Sequence, residues 1–237
     1  MNLDAVFSDY FSSQETYTSS RVRLNHFAKR SFDIFFSGSS LLLLSPIIGL
    51  SAFTTLCDTG RPVFFSQERR GYRGEKFRVY KMRSMYQDTE QKEREGLVEK
   101  EGKFQNIPTD SSVYTRVGRY LEKFWIVEFP QFWNVLKGEM SIVGNRPIPD
   151  YVFETLGTSD DVLERFGSPP GLTGYSQVIG RYEISDQDRI KLEKEYSDIY
   201  RHGDVFIEDL RIILMTMHVY FSNLFDKNNF LTNRSWL

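Results

Sequence analysis

The chain has 237 residues, with 30 Lys and Arg against 32 Asp and Glu for a formal net charge of -2. That length holds one ordinary domain plus an appendage, and the near balance of charge excludes a global electrostatic case for nucleic-acid binding, leaving anion recognition to local basic clusters. A single cysteine, Cys57, and three scattered histidines, His26, His202 and His218, exclude an intramolecular disulfide and a zinc-ligand pattern.

Residues 1–20 carry no Lys or Arg and no apolar core. They read as neither a signal peptide nor a basic arm, but as a polar, disordered extension. Arg21, Arg23, Lys29 and Arg30 then lead into an apolar run from Phe32 to Leu56 whose only ionisable residue is Asp33. The run is long enough to cross a bilayer, which takes about 20 residues. Pro46, preceded by Ser45, predicts a kink or break. Arg61, Arg69, Arg70 and Arg73 follow, so both flanks are basic and both prefer the cytoplasmic side. A re-entrant helix-break-helix over 21–57 meets both observations, its freed backbone satisfied by the Ser45 hydroxyl. A kinked spanning helix is the alternative. Asp33 is spaced to pair with Lys29 or Arg30 on one helix face at the membrane surface.

From residue 58 a cytosolic domain is expected. Gly60 to Gln67 reads as a turn and a short strand, and Gln67 to Met85 as a glycine-containing basic turn between two strands. Lys81 and Arg83 alternate with Met82, so on an extended segment both cations face one way, an arrangement suited to a diphosphate. Gly71 and Gly74 lack the spacing of a dinucleotide fingerprint. Gln87 to Asn106 is a mixed-charge run with the character of a solvated face. The stretch Val117 to Pro147 organises the rest: a charged turn, an aromatic segment ending at Lys137-Gly138, and Arg146 between Asn145 and Pro147. Phe129, Phe132, Trp133 and Leu136 repeat at helical spacing behind Pro130 and, with Phe124 and Trp125, read as core. Ser185 to Tyr200 is a charged helix with Leu192 and Tyr196 on one face. In Gly203 to Phe225 the stripe Phe206, Leu210, Ile213, Leu214, Met217 and Leu224 is interrupted by Asp209 and Arg211, as in an interfacial helix or one packed on the core. From Asp226 the chain reads as a loosely held end.

Taken in order, Lys29-Arg30 with Asp33, Ser45-Pro46, Gln67 with Arg69 and Gly71, Lys81 to Met85, Pro130-Gln131 with Trp133 to Ser141, Gly144 with Arg146-Pro147, and Pro170 to Gly174 with Gln177 and Gly180-Arg181 resemble the bacterial sugar transferases, the monotopic polyprenyl-phosphate phosphoglycosyl transferases. The likeness runs from about Lys29 to about Phe221. It implies a mostly helical α+β fold, with a re-entrant helix-break-helix in the cytoplasmic face of the inner membrane. A cytosolic catalytic-type domain with interfacial helices then occupies 58–237. It also implies transfer of a sugar phosphate from a UDP-sugar to undecaprenyl phosphate, with release of UMP and a need for Mg²⁺.

The family's nucleophile is the aspartate of an Asp-Glu pair in Ser-Leu-Asp-Glu-Leu-Pro-Gln-Leu. One carboxylate attacks phosphorus while its neighbour helps hold the metal. Here the stretch is Trp125 to Phe132, with Val127 at the aspartate position and Glu128 retained. Phe124 and Trp125 replace Thr and Ser, Glu122 replaces a basic residue, and Asn145 replaces a proline or small residue. Glu122 falls on a different helical face and Asp110 outside the motif, so neither is the obvious substitute. The resemblance implies substrate contacts from Lys81, Arg83, Arg146, Gln177 and Arg181, a metal contact from Glu128, and the hairpin break at Ser45 and Pro46. The expectation is a non-catalytic relative in polysaccharide or glycoconjugate biosynthesis. It would act as partner, scaffold or regulator in a homo- or hetero-oligomer with an active family member or pathway enzyme. The alternative is a divergent active transferase.

Overall fold

The computed structural model describes residues 2–13, 19–89, 92, 97–98, 107, 111–180 and 184–225. The stretch that its polarity marked as a disordered extension contains a helix, α1 (Leu3–Ser12), started by Asn2, whose side chain accepts from the Ala5 amide. Leu3, Phe7 and Phe11 recur every four residues and are buried against Ile148, Val152, Phe153, Leu163 and Phe166. The three buried residues are scattered in the sequence, but at that spacing they form a stripe.

Helix α2 (Ser20–Thr59) is followed by an antiparallel hairpin, β1 (Phe64–Arg70) and β2 (Lys76–Met82), with Phe64 opposite Met82 and Arg70 opposite Lys76. Then come α3 (Arg116–Lys123), a 3₁₀ turn at Ile126–Glu128, α4 (Gln131–Lys137), β3 (Ser141–Val143), α5 (Asp150–Leu156) and α6 (Asp160–Glu164). The chain continues through β4 (Gly171–Thr173), α7 (Tyr175–Gly180), α8 (Asp186–His202) and α9 (Val205–Phe225). β3 and β4 run parallel, with Ser141 opposite Gly171. Gly144 sits where a β-carbon would collide with the Pro169 carbonyl, which is how the two segments approach so closely. The mostly helical α+β architecture is the one expected.

α2 stays helical for 40 residues, passing through Ser45 and Pro46 where the proline suggested a break. Pro46 deprives the Leu42 carbonyl of an amide, and Ser45 Oγ donates to that oxygen at 2.8 Å. The helix is inverted in polarity. Lys29, Asp33, Ser37, Ser51 and Thr55 are buried, whereas Phe27, Phe35, Leu42, Leu43, Leu50 and Phe53 face outward. Lys29 Nζ donates to the Val143 carbonyl at 2.8 Å, to the Tyr196 hydroxyl at 3.2 Å and to Asp209 Oδ2 at 2.6 Å. Asp33, expected in a surface ion pair, is instead buried and accepts from Ser141 Oγ at 2.7 Å and the Ile142 amide at 3.0 Å, fixing the start of β3. Arg30 donates to the carbonyls of Val135 and Leu136, capping the end of α4.

The later helices repeat this inversion. In α9, Val205, Asp209 and Ile212 are turned inward, while Leu210, Leu214 and Met217 are exposed. Asp209, which interrupts the apolar stripe in the sequence, is thus the helix's buried link to α2. In α4, Gln131, Asn134 and Val135 are buried. Asn134 accepts from the Tyr80 amide and donates to the Arg78 carbonyl. The aromatic cluster expected in the core is only partly buried, and Trp133 is 53% exposed. The side chain of Leu224, and the chain from Asp226 onward, lie outside the described residues.

Candidate anion-binding site

The hairpin sets the site's geometry. Phe65 lies opposite Lys81, so Gln67 and Arg69 on β1 share the face of Lys81 on β2. Arg69 donates to the Gln67 side chain and to the Pro147 carbonyl, both at 2.8 Å, which draws the Arg146-Pro147 segment against the hairpin. Between them lies a cavity of about 420 Å³, lined by Arg69, Lys81, Arg83, Arg146 and Arg189 together with Glu122, Ser84 and the aromatic rings of Tyr86 and Tyr151.

Of the residues expected to touch ligand, Lys81, Arg83 and Arg146 meet at this cavity. Glu128 stands beside them, 3.7 Å from Lys81 Nζ and 3.4 Å from Arg146 Nη1. Gln177 does not line the cavity. Its side-chain oxygen accepts from Ser176 Oγ, which also bonds Glu193. Arg181 lies outside the described residues.

Three contributors were missed in the sequence. Arg69 belongs to a motif used only for the resemblance. Arg189 sits in the charged run of α8, where its i, i+4 spacing to Glu193 and the continuation to Tyr196 and Ser197 mark one buried face. Glu122, set aside as lying on another helical face, lines the cavity and accepts from Ser84 Oγ at 2.8 Å. α3 ends at Lys123 and Trp125 takes a left-handed conformation with φ 58°, so helical spacing does not carry from 122 to 128.

Glu193 organises the wall behind the cations. It receives Arg189 at 3.1 Å and the buried Arg165 at 2.6 Å, and Arg165 donates onward to the Arg146 carbonyl at 2.8 Å. The Asn145 side chain donates to the carbonyls of Arg165 and Glu193, both at 2.7 Å. Asn145 is therefore a buried strut of the loop that presents Arg146.

Burial lowers the Lys81 pKa to about 8, with Glu128 pulling it up and Arg146 pushing it further down. Burial likewise lowers Arg69 and Arg189 to about 10. Among the described residues, Arg69 Nε and Arg83 Nε and Nη1 are buried with no hydrogen-bond partner. A bound anion would supply acceptors and charge at once. It would also raise the Lys81 pKa, so binding takes up a proton at alkaline pH. The affinity for inorganic diphosphate, measured by calorimetry, should fall as pH rises above about 8, by up to about tenfold per pH unit. Lys81→Arg should flatten the profile, because a guanidinium stays charged throughout that range. A flat profile in the unaltered chain would exclude Lys81 from the contact.

Val127 faces elsewhere. It is 2% exposed and packs with Met82 and Leu121 beneath Ile48 and Ala52 of α2.

A family model described as bacterial sugar transferase matches residues 24–223. The chain belongs to the bacterial sugar transferase family. It is similar to the galactosyl transferase CpsE of Streptococcus agalactiae, 36% identical over 86% of this chain and 44% of that protein. It is also similar to an undecaprenyl-phosphate glucose phosphotransferase of Komagataeibacter xylinus, 34% identical over 85% of this chain and 37% of that protein. The sugar transferase EpsL of Bacillus subtilis is 35% identical over 80% of this chain and 85% of its own length. The chain thus spans less than half of the first two relatives and most of the third.

Glu128 is the residue that the resemblance marks as a Mg²⁺ ligand. Among the described residues there is no group of three or more His, Cys, Asp or Glu side chains placed to hold a metal. The Glu128 carboxylate is also already compensated by Lys81 and Arg146. Mg²⁺ is usually held by one or two carboxylates together with substrate phosphates and water, and Glu128 would supply one such carboxylate.

Proposed function

We propose that this bacterial sugar transferase is non-catalytic. It holds a UDP-sugar in its cationic cavity on the cytoplasmic face of the inner membrane, and it acts as a scaffold or regulator beside an active member of its family in polysaccharide assembly. The observation that carries this reading is Val127, a side chain with no lone pair, sealed in an apolar cluster where the family's resemblance calls for a nucleophilic carboxylate. Without that nucleophile, any contribution to assembly passes through another protein. Retention of Lys81, Arg83 and Arg146 around one cavity supports continued ligand binding.

The membrane arrangement proposed is monotopic and re-entrant. Lys29 and Asp33 near one end of α2 bond to β3 and α9. At the other end Asp58 accepts from the Val117 amide, and Arg83 bonds Thr59 and the Gly60 carbonyl. A spanning helix leaves its ends on opposite sides of the bilayer and meets one cytosolic domain at one end only. The outward apolar face then meets lipid.

The second reading, a divergent active transferase, draws on the names of the undecaprenyl-phosphate phosphotransferases among the relatives and on the Glu122 carboxylate at the cavity. The protein in lipid particles, given Mg²⁺, undecaprenyl phosphate and a panel of UDP-sugars, separates the two. Expected are sugar-nucleotide binding, no UMP and no phosphosugar adduct by intact mass. Val127→Asp should stay silent as well, because its carboxylate would be buried among Ile48, Met82 and Leu121. UMP release by the unaltered chain would overturn the proposal, and an adduct on Glu122 would identify the replacement nucleophile.

A further inference from the structure

Helix α1 precedes the residues matched by the family model, so family membership gives it no role. It packs on the back of the cavity wall. Phe7 meets Phe153 at a tilt and Phe166 edge to face, with ring centroids 4.9 Å away in both cases. Ile148 and Val152 belong both to this aromatic cluster and to the cavity lining. Arg70, whose guanidinium lies 5.2 Å from the Phe7 ring, donates to Asp4 of α1 at 2.5 Å and to Asp150 of α5 at 2.6 Å. Its amide holds the Ile148 carbonyl at 2.8 Å.

Two of the cations at the cavity, Arg69 and Arg146, are therefore backed by α1 through their neighbours in the chain. Arg69 is the chain neighbour of Arg70. Arg146 lies two residues before Ile148, and Arg165, which holds the Arg146 carbonyl, precedes Phe166. Gly74, at φ +79°, leaves room for the Phe7 ring where any β-carbon would collide.

We propose that α1 is a clasp for the cavity. Docked, it holds the 146–153 wall where Arg69 and Arg146 converge on a diphosphate, and an occupied cavity in turn holds α1 down. The inference rests on the cavity being a diphosphate site. Coupling between two sites is reciprocal, so one factor governs both effects. The test uses the full chain in lipid particles with UDP as the probe, reading affinity by calorimetry and hydrogen exchange over residues 3–12.

Phe7→Asp, which undocks the helix, should weaken UDP binding by about tenfold, within the usual range of such couplings. Asp4→Asn, which removes only one of the two carboxylates on Arg70, should weaken it less. In the unaltered chain, saturating UDP should slow exchange in α1 by a similar factor, a response that a purely structural helix would not give and that needs no variant to fold. UDP bound by the unaltered chain with no change in α1 exchange, or bound equally well by Phe7→Asp, overturns the clasp alone. No UDP binding by the unaltered chain overturns the clasp and the ligand reading together.

Discussion

Lys29→Ala should lower stability by about 3–5 kcal/mol, the usual penalty for breaking a buried ion pair from one side. Lys29 is 3% exposed and places all three of its donors on Val143, Tyr196 and Asp209. Burial already raises the Asp209 pKa, and Lys29 is the first of the groups that oppose it. Truncation leaves a carboxyl in a closed interior, joined among the described residues by the Tyr196 hydroxyl at 2.7 Å. Thermal unfolding in lipid particles, followed by tryptophan fluorescence, measures the loss. The double variant Lys29→Met, Asp209→Leu should recover most of it, since apolar replacement of both partners removes the uncompensated charge. A loss below about 1 kcal/mol in the single variant, the range of exposed ion pairs, would show that the pair is solvated.

Glu193→Gln is the second large effect, also about 3–5 kcal/mol. Arg165 is 1% exposed and Arg189 is buried beside it, and Glu193 is the carboxylate they share. Burial alone would raise the Glu193 pKa, but the two guanidiniums hold it below the usual glutamate range. Its stabilisation is therefore complete above an ordinary glutamate pKa and is lost as pH falls through the depressed value. Neutral pH reveals the whole effect of the substitution. Because Arg189 also lines the cavity, UDP should raise the unfolding temperature of Glu193→Gln more than that of the unaltered chain, the bound anion replacing part of the missing charge. An equal rise in both would separate Glu193 from the cavity.

Much of the site could be seen in the sequence because alternation in a strand is local. Lys81, Met82 and Arg83 needed only an extended backbone to bring two cations together, and the hairpin supplied it. The extent of α2 was equally plain, although its continuity through Pro46 was not. Its burial was not, since patterning rules take water as the solvent. With apolar side chains facing outward, Ser37, Ser51 and Thr55 form the inner stripe, and these residues look neutral in a list of hydropathies. Arg189 and Glu193 show the same limit. An i, i+4 pair has the same spacing in solvent or in a core, and only Arg165, brought in from 24 residues earlier than Arg189, makes it interior.

The inward stripe of α2 also dictates an order of biosynthesis. Asp33 leaves the ribosome 108 residues before Ser141, and Lys29 leaves 180 residues before Asp209. The nascent helix therefore reaches the bilayer with a lysine and an aspartate still unpartnered. Both gain their partners only when the later domain arrives to cover them, and a product released before Asp209 would hold a helix whose lysine still lacks its carboxylate.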